Sequence, residues 1–316
     1  MNDFKYSDDN KRYHTFNYYL KNKYECKVFK VSLDAGFTCP NRDGSKGYGG
    51  CSFCSSKGSG EYAGNKNDDL LVQFNKIKDM MHQKWSKGKY IVYFQAFSNT
   101  YAPLIQLKKI YAPFLEIENV VGIAIATRPD CLDDEIIAYL DSLTSKVDIW
   151  LELGLQTTND KIAQEFNRGY NFEVFDKNMK KLEKTNINVC VHLINGLKNE
   201  TKDMMIDNVK KLSKYKIDAI KIHMLHIVAD SLLAIEYEKN PFNILSLDEY
   251  VEVVVNQLRH LPKEIVVQRL SGDAKKEKLI VPMWTLNKTN VLNSIDKYMA
   301  KNKIVQGDLC CEPIKK

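Results

Sequence analysis

Apolar positions fall along the chain in two alternating patterns. Continuous runs rich in Val, Ile and Leu, from Val28 to Leu33, Tyr90 to Phe97, Val120 to Ala126, Val147 to Leu155, Ile187 to Ile194 and Ile217 to Leu225, have strand length. They predict strands buried on both faces, as in a parallel sheet. Between them the spacing turns helical. Leu70, Phe74, Ile77, Met81 and Trp85 make one stripe, and Leu132, Ile136, Leu140 and Leu143 another. Ser246 with Glu249 predicts a capping box opening a further helix through Val251, Val254 and Leu258. About six alternations of strand and helix predict a βα barrel or a doubly wound sheet. Ile265 to Leu270 is a candidate seventh strand. A complete eight-unit barrel occupies roughly 250 residues and would fit tightly here. The expected fold is therefore α/β, an incomplete (βα)6 TIM-like barrel. Its expected division is an N-terminal extension over 1–26, the partial barrel over 27–230, and helices and strands over 231–316 that complete the barrel side.

Polar residues gather at the carboxyl ends of the predicted strands: Gln95 with Ser98 and Asn99, Thr127 with Arg128, Glu152 with Gln156, His192 with Asn195, His223 with His226, and Arg269 with Asp273. Barrels and open α/β sheets bind ligands at that edge, so a site assembled there from several strands is expected.

Composition narrows the class. The chain has 316 residues, 44% hydrophobic and 27% charged, which sets aside disorder, fibrous structure and coiled coil. No apolar run approaches the roughly 20 residues of a membrane helix, and the first residues lack a signal-peptide core. A cytoplasmic protein without membrane association is expected. The net charge of +6 (46 − 40) comes almost wholly from lysine, with six arginines. Most of this charge reads as solvated helix surface, so the rare arginines are the better functional candidates.

The eight cysteines are too scattered for a disulfide framework. Three of them, Cys39, Cys51 and Cys54, crowd into GFTCPNRDGSKGYGGCSFC after the first strand, among Gly36, Gly44, Gly47, Gly49 and Gly50. Glycine lets backbone fold closely around an inorganic centre, and thiolates are ligands for such centres. A structural zinc closes its shell with four protein ligands, whereas a 4Fe-4S cluster on three cysteines leaves one iron open. The alternative is a zinc knuckle with Cys26 as fourth ligand, in a non-catalytic RNA-binding module. Cys131, Cys190, Cys310 and Cys311 lack ligand spacing and read as core or tail thiols.

A three-cysteine loop after the first strand of a βα barrel resembles the radical S-adenosylmethionine (SAM) superfamily. The spacing, eleven residues and then two, departs from that superfamily's commonest three-and-two pattern. It is similar to the Elp3-related branch, and CPNRDG, GGCSFC, YFQAFSNTYAP, ATRPDCL, LELGLQT, HLINGL and VQRLSGD resemble its YtqA/YhcC-like subgroup. The likeness runs from about Lys11 to about Lys288, with no counterpart of the Elp3 acetyltransferase domain.

The resemblance implies a radical SAM barrel that uses a 4Fe-4S cluster to cleave SAM to a 5′-deoxyadenosyl radical. Cys39, Cys51 and Cys54 match the cluster ligands. Phe53 would lie near the adenine, or simply pack the loop. Gln95, Ser98 and Asn99 occupy the place of the family's glycine-rich turn for the SAM amino group; Asn99 reads equally as a turn former. Glu152 and Gln156 are candidates for the ribose and methionine portion, the alternative for Glu152 being an ion pair with Arg128 or Lys221. His192, Asn195 and Arg128 complete the cofactor candidates. Lys221, His223 and Arg269 are candidates for positioning an anionic substrate or shuttling a proton, with His226 expected on the opposite strand face.

The resemblance further implies tRNA as substrate, bound through its anticodon loop, and trimming of a carboxymethylaminomethyl group at C5 of the wobble uridine to aminomethyl. A small metabolite or protein side chain is the alternative target. Lys108, Lys109, Lys180, Lys181, Lys210 and Lys211 are candidates for phosphate contacts. An electron donor such as flavodoxin or ferredoxin is also implied.

Overall fold

A computed structural model describes residues 4–310. Its strands are β1 (Val28–Leu33), β2 (Lys89–Phe94), β3 (Val120–Thr127), β4 (Asp148–Gln156), β5 (Asn188–Asn195), β6 (Ala219–Met224), β7 (Ile227–Val228), β8 (Val266–Arg269) and β9 (Leu279–Val281). Seven of them form one sheet in the order β1-β2-β3-β4-β5-β6-β8, parallel at each pairing. The sheet curls into a half-barrel, and the expected six units are joined by the seventh strand. β7 and β9 form a separate antiparallel pair.

Helices α1 (Phe16–Tyr24), α2 (Leu70–His82), α3 (Leu104–Tyr111), α4 (Asp134–Leu143), α5 (Asp160–Glu165), α6 (Phe172–Leu182), α7 (Lys202–Leu212), α8 (Leu232–Lys239), α9 (Leu247–His260) and α10 (Lys288–Lys301) complete the chain. The capping box of α9 forms as expected, with Glu249 N donating to Ser246 Oγ at 3.3 Å and Ser246 N to Glu249 Oε2 at 3.0 Å. β2 ends at Phe94, short of its apolar run, because the chain turns at Phe97 with φ of 60°. α2 ends before Trp85, whose carbonyl faces His82 Nδ1 at 2.8 Å while its ring meets Phe29.

Strand alternation divides the interior in two. Outward residues such as Val92, Phe94, Ile123, Ile125, Leu151 and Leu153 make the main core with the surrounding helices. Inward residues Ile91, Tyr93, Ala124, Ala126, Trp150, Cys190 and Ala219 make a smaller cluster. α1 closes its lower end, where Phe16 and Tyr19 meet Trp150 edge-on at 5.6 and 5.8 Å between ring centres. The edge beyond β8 is covered by the segment before α1: Thr15 bridges Val267, and Val267 N donates to the His14 carbonyl at 2.7 Å. The alanines of β3 leave room above that plug, and the cavity lies there. No helix among the described residues is long and apolar enough to cross a membrane.

Candidate cluster and cofactor site

The half-barrel holds a cavity of about 730 Å³, lined by strand carboxyl ends and the loops that follow them. Cys39, Cys51 and Cys54 line it from the loop after β1. That loop is pinned on several sides. Asn167 Nδ2 donates to the Gly50 carbonyl at 3.0 Å, Ser52 N to the Phe166 carbonyl at 2.9 Å, and Leu233 N to the Ser52 carbonyl at 2.8 Å. Arg42 donates to the Ser55 and Cys54 carbonyls at 2.6 and 3.3 Å. Gly50 has φ of 79°, and a Cβ there would stand 2.7 Å from Arg42 Nε, so a side chain would break this clamp.

Cys51 is the more acidic of the adjacent thiols. A hydrogen bond from Cys54 lowers it, opposed by burial and aided by the Arg128 charge, an Asn41 hydrogen bond and the Arg168 charge. The same hydrogen bond pushes Cys54 up. Among the described residues no three Cys, His, Asp or Glu side chains converge as a single metal ion requires. A 4Fe-4S cluster asks for something else: each thiolate binds a different iron, so its ligands are spread by the cluster's own width. Cys26 cannot close a zinc shell. It precedes β1 while the other three follow it, and six residues of strand span about 20 Å.

The cavity floor is an ion network. Fully buried Glu152 pairs with Lys30 and Lys221, and its Oε2 lies 3.1 Å from His192 Nε2. Lys30 and Lys221 both stand over the Tyr93 ring, at 4.2 and 4.8 Å. The two cations hold the Glu152 carboxyl well below its usual range against the opposing effect of burial. Burial, then the Lys221 charge, pushes His192 down to about 4, leaving it neutral at pH 7. Burial pushes Lys221 down to about 8 despite Glu152. The alternative of a Glu152–Lys221 pair is thus present, and Arg128 instead makes a bidentate pair with Asp130 at 2.8 and 3.0 Å. Lys30 and Tyr93, which sequence reasoning missed, carried a readable signal: polar groups on the inward face of apolar strands.

Phe53, Gln95, Ser98, Arg128, Gln156, His192, His223 and Arg269 all line the cavity. His226 does too, because β6 ends at Met224 and strand alternation no longer governs it. Asn99 and Asn195 are buried outside the cavity lining. Asn99 donates to the Ala96 and Ala126 carbonyls at 3.0 and 2.9 Å, and Asn195 exchanges hydrogen bonds with Gln257 at 2.8 and 2.9 Å. Cys131 and Cys190 are core thiols, and Cys311 lies outside the described residues.

Two groups of cations are placed away from ligands. Lys108, Lys109, Lys180, Lys181, Lys210 and Lys211 occupy the last turns of α3, α6 and α7. Helices run back against the strands, so these turns lie at the amino edge of the sheet, opposite the cavity. Lys180, Lys181 and Lys210 also pair with Asp176, Asp134 and Asp207. Arg168, 1% exposed, serves the fold: it donates to the Tyr170, Leu155 and Thr157 carbonyls at 2.9, 2.9 and 2.6 Å and pairs with Asp160. Arg168→Ala orphans those acceptors and is expected to cost about 3 kcal/mol, read as a lower urea midpoint. An unchanged midpoint would mean the acceptors find other donors.

Comparison with known proteins adds the rest. The radical SAM superfamily model matches residues 39–222, and the Radical_SAM C-terminal domain model matches 217–301. Uncharacterized protein YtqA of Bacillus subtilis is 47% identical over 306 residues, covering 97% of this chain and 95% of that protein. A tRNA uridine(34) acetyltransferase of Methanocaldococcus jannaschii is 24% identical over 198 residues, covering 61% of this chain and 35% of that protein. The structure of Methanocaldococcus infernus Elp3 with an N-terminal deletion matches with a TM-score of 0.64 at 16% identity, covering 88% of this chain and 64% of that one, a likeness of fold. With a matching family model over more than half its length and a near full-length relative, the chain belongs to the radical SAM superfamily, whose members use a 4Fe-4S cluster and SAM.

Proposed function

We propose that this enzyme modifies tRNA, converting the carboxymethylaminomethyl group at C5 of the wobble uridine to aminomethyl. The observation behind this reading is the likeness to a tRNA uridine(34) acetyltransferase over 198 residues. The donor set of the loop suits the cluster, because three thiolates on a glycine-rich turn leave one iron free for SAM. Cys39, Cys51 and Cys54 would hold the cluster, with Phe53, Gln95, Ser98, Arg128, Gln156 and His192 lining the cofactor's share of the cavity. Asn99 and Asn195 would act at one remove, by holding the turns after β2 and β5. Bound together, cluster and SAM supply a carbon radical able to take hydrogen from an unactivated C–H bond beside nitrogen.

The chain's own part is to bind, orient and exclude water. Glu152, fixed by two lysines, keeps the floor rigid and polar, while Lys221, His223 and Arg269 face the substrate side. A cavity of about 730 Å³ has room for a flipped base beside a cofactor. Wobble bases are in a single-stranded loop, where extrusion is cheap. The cavity equally admits a small anionic metabolite, and salt separates the two: tRNA binding weakens steeply as salt rises, metabolite binding much less. In this reading the enzyme works in the cytoplasm with a flavodoxin- or ferredoxin-type donor.

The decisive experiment incubates reconstituted enzyme anaerobically with SAM, reductant and tRNA from a strain lacking the gene. Nucleoside mass spectrometry is expected to show carboxymethylaminomethyluridine replaced by aminomethyluridine. An unchanged wobble nucleoside would refute the assigned reaction.

A further inference from the structure

The carboxylates of the inner barrel do not balance its cations. Lys30 and Lys221 share Glu152, while Arg269 and Lys288 share Asp273, the latter pair at 3.4 Å. Lys221 and Arg269 are register partners across β6 and β8, so the two groups are neighbours. Four cations against two carboxylates leave a local surplus of two positive charges.

Burial disfavours that surplus. It is the leading cause lowering Lys221 and Arg269. The adjoining histidines bring no negative charge. Burial first, then the Arg269 charge, pushes His223 and His226 down, His226 to about 4. His226 Nε2 is buried without a hydrogen-bond partner. Desolvated positive charge is costly until an anion answers it.

The carboxylate now serving Arg269 and Lys288 is within reach of solvent. Asp273 lies between β8 and β9 in a segment that is neither helix nor strand, with its side chain 37% exposed. Gly272 brings this segment onto the His226 ring, since a Cβ there would come within 2.4 Å of His226 Cε1.

We propose that Arg269 and Lys288 form a carboxylate subsite, filled at rest by Asp273 and taken over by the carboxylate of the substrate, with His226 flanking it. A guanidinium presents a planar fork that matches a carboxylate. Naming that carboxylate as the one on the carboxymethylaminomethyl group rests on the proposed function. The competing source is the carboxylate of SAM.

The test uses reconstituted enzyme and the variants Arg269→Gln and Lys288→Gln, the second at an exposed helix start. Wild type is expected to bind tRNA bearing carboxymethylaminomethyluridine about tenfold more tightly than tRNA bearing aminomethyluridine. Both variants should bring that ratio near one while SAM affinity, from equilibrium dialysis, stays unchanged. An unchanged ratio overturns the subsite, as does a lost SAM affinity with the ratio intact. A second arm does not depend on tRNA. N-methylglycine, but not methylamine, should raise the melting temperature of wild type and not of Arg269→Gln. If that shift appears while wild type binds neither tRNA, the subsite stands and the tRNA reading falls; if neither response appears, the subsite is overturned.

Discussion

Cys51→Ala is expected to abolish both the iron–sulfur cluster and the cleavage of SAM. Anaerobically reconstituted wild type should be brown, with about four irons per chain and broad absorbance near 400 nm, and the variant nearly colourless. The size of the loss follows from the site. Cys26 lies at the opposite edge of the barrel, and Cys131 and Cys190 are buried, 8% and 0% exposed, within the packed interior. Alanine removes the thiol that Arg128 and Arg168 favour as thiolate, and it removes the hydrogen-bond acceptor of Cys54. The loop itself should survive, because Arg42, Asn167 and backbone groups clamp it and just the Cys54 and Asn41 hydrogen bonds end on the Cys51 sulfur. Circular dichroism and the melting temperature of the apo-protein should therefore match wild type. 5′-Deoxyadenosine formation by the variant at the wild-type rate would refute the ligand assignment.

The frame of the fold was legible because long apolar runs alternated with helical stripes, and because the cysteine loop stood where the first strand ends. What was hidden depended on distances across the barrel. Lys30 is one lysine among many in composition, yet its place on the inward face of β1 brings it onto Glu152, far away in sequence. Arg168, one of the rare arginines that composition marked as functional candidates, is consumed by backbone carbonyls of its own neighbourhood. Asn99 and Asn195 sit at strand ends, as site residues do, but their amides hold turns and a neighbouring helix. His226 went the other way: period-two reasoning turned it from the cavity, and the early end of β6 returned it. Local pattern reports which face a strand residue takes, whereas partner choice is a property of closure.

Glu152→Gln is expected to be the most destabilising conservative change in the barrel. The amide keeps shape and removes the charge shared by Lys30 and Lys221, leaving two cations beside Tyr93 without a carboxylate. Removing one member of a buried ion network costs about 3–5 kcal/mol when the remaining charges cannot escape. Here one can. Lys221 already sits near 8 with Glu152 supporting its charge, so without that support it gives up its proton at lower pH and relieves part of the cost. The penalty should therefore depend on pH in a defined way. Glu152 has a folded pKa below its unfolded value near 4.3, so its contribution is complete above that value and is lost as pH falls through the folded pKa. Lys221 has a folded pKa below its unfolded value near 10.4, so the unfolded chain binds more protons between the two and stability rises with pH there. In wild type that rise begins near pH 8; in the variant it should begin at lower pH. The difference in urea-unfolding free energy between the two proteins should peak near pH 5 at about 3 kcal/mol, and shrink toward both acid and alkaline pH. A difference that stayed flat from pH 4 to pH 9 would mean that Glu152 is not ionised against these lysines, and the cavity floor would need another source of order.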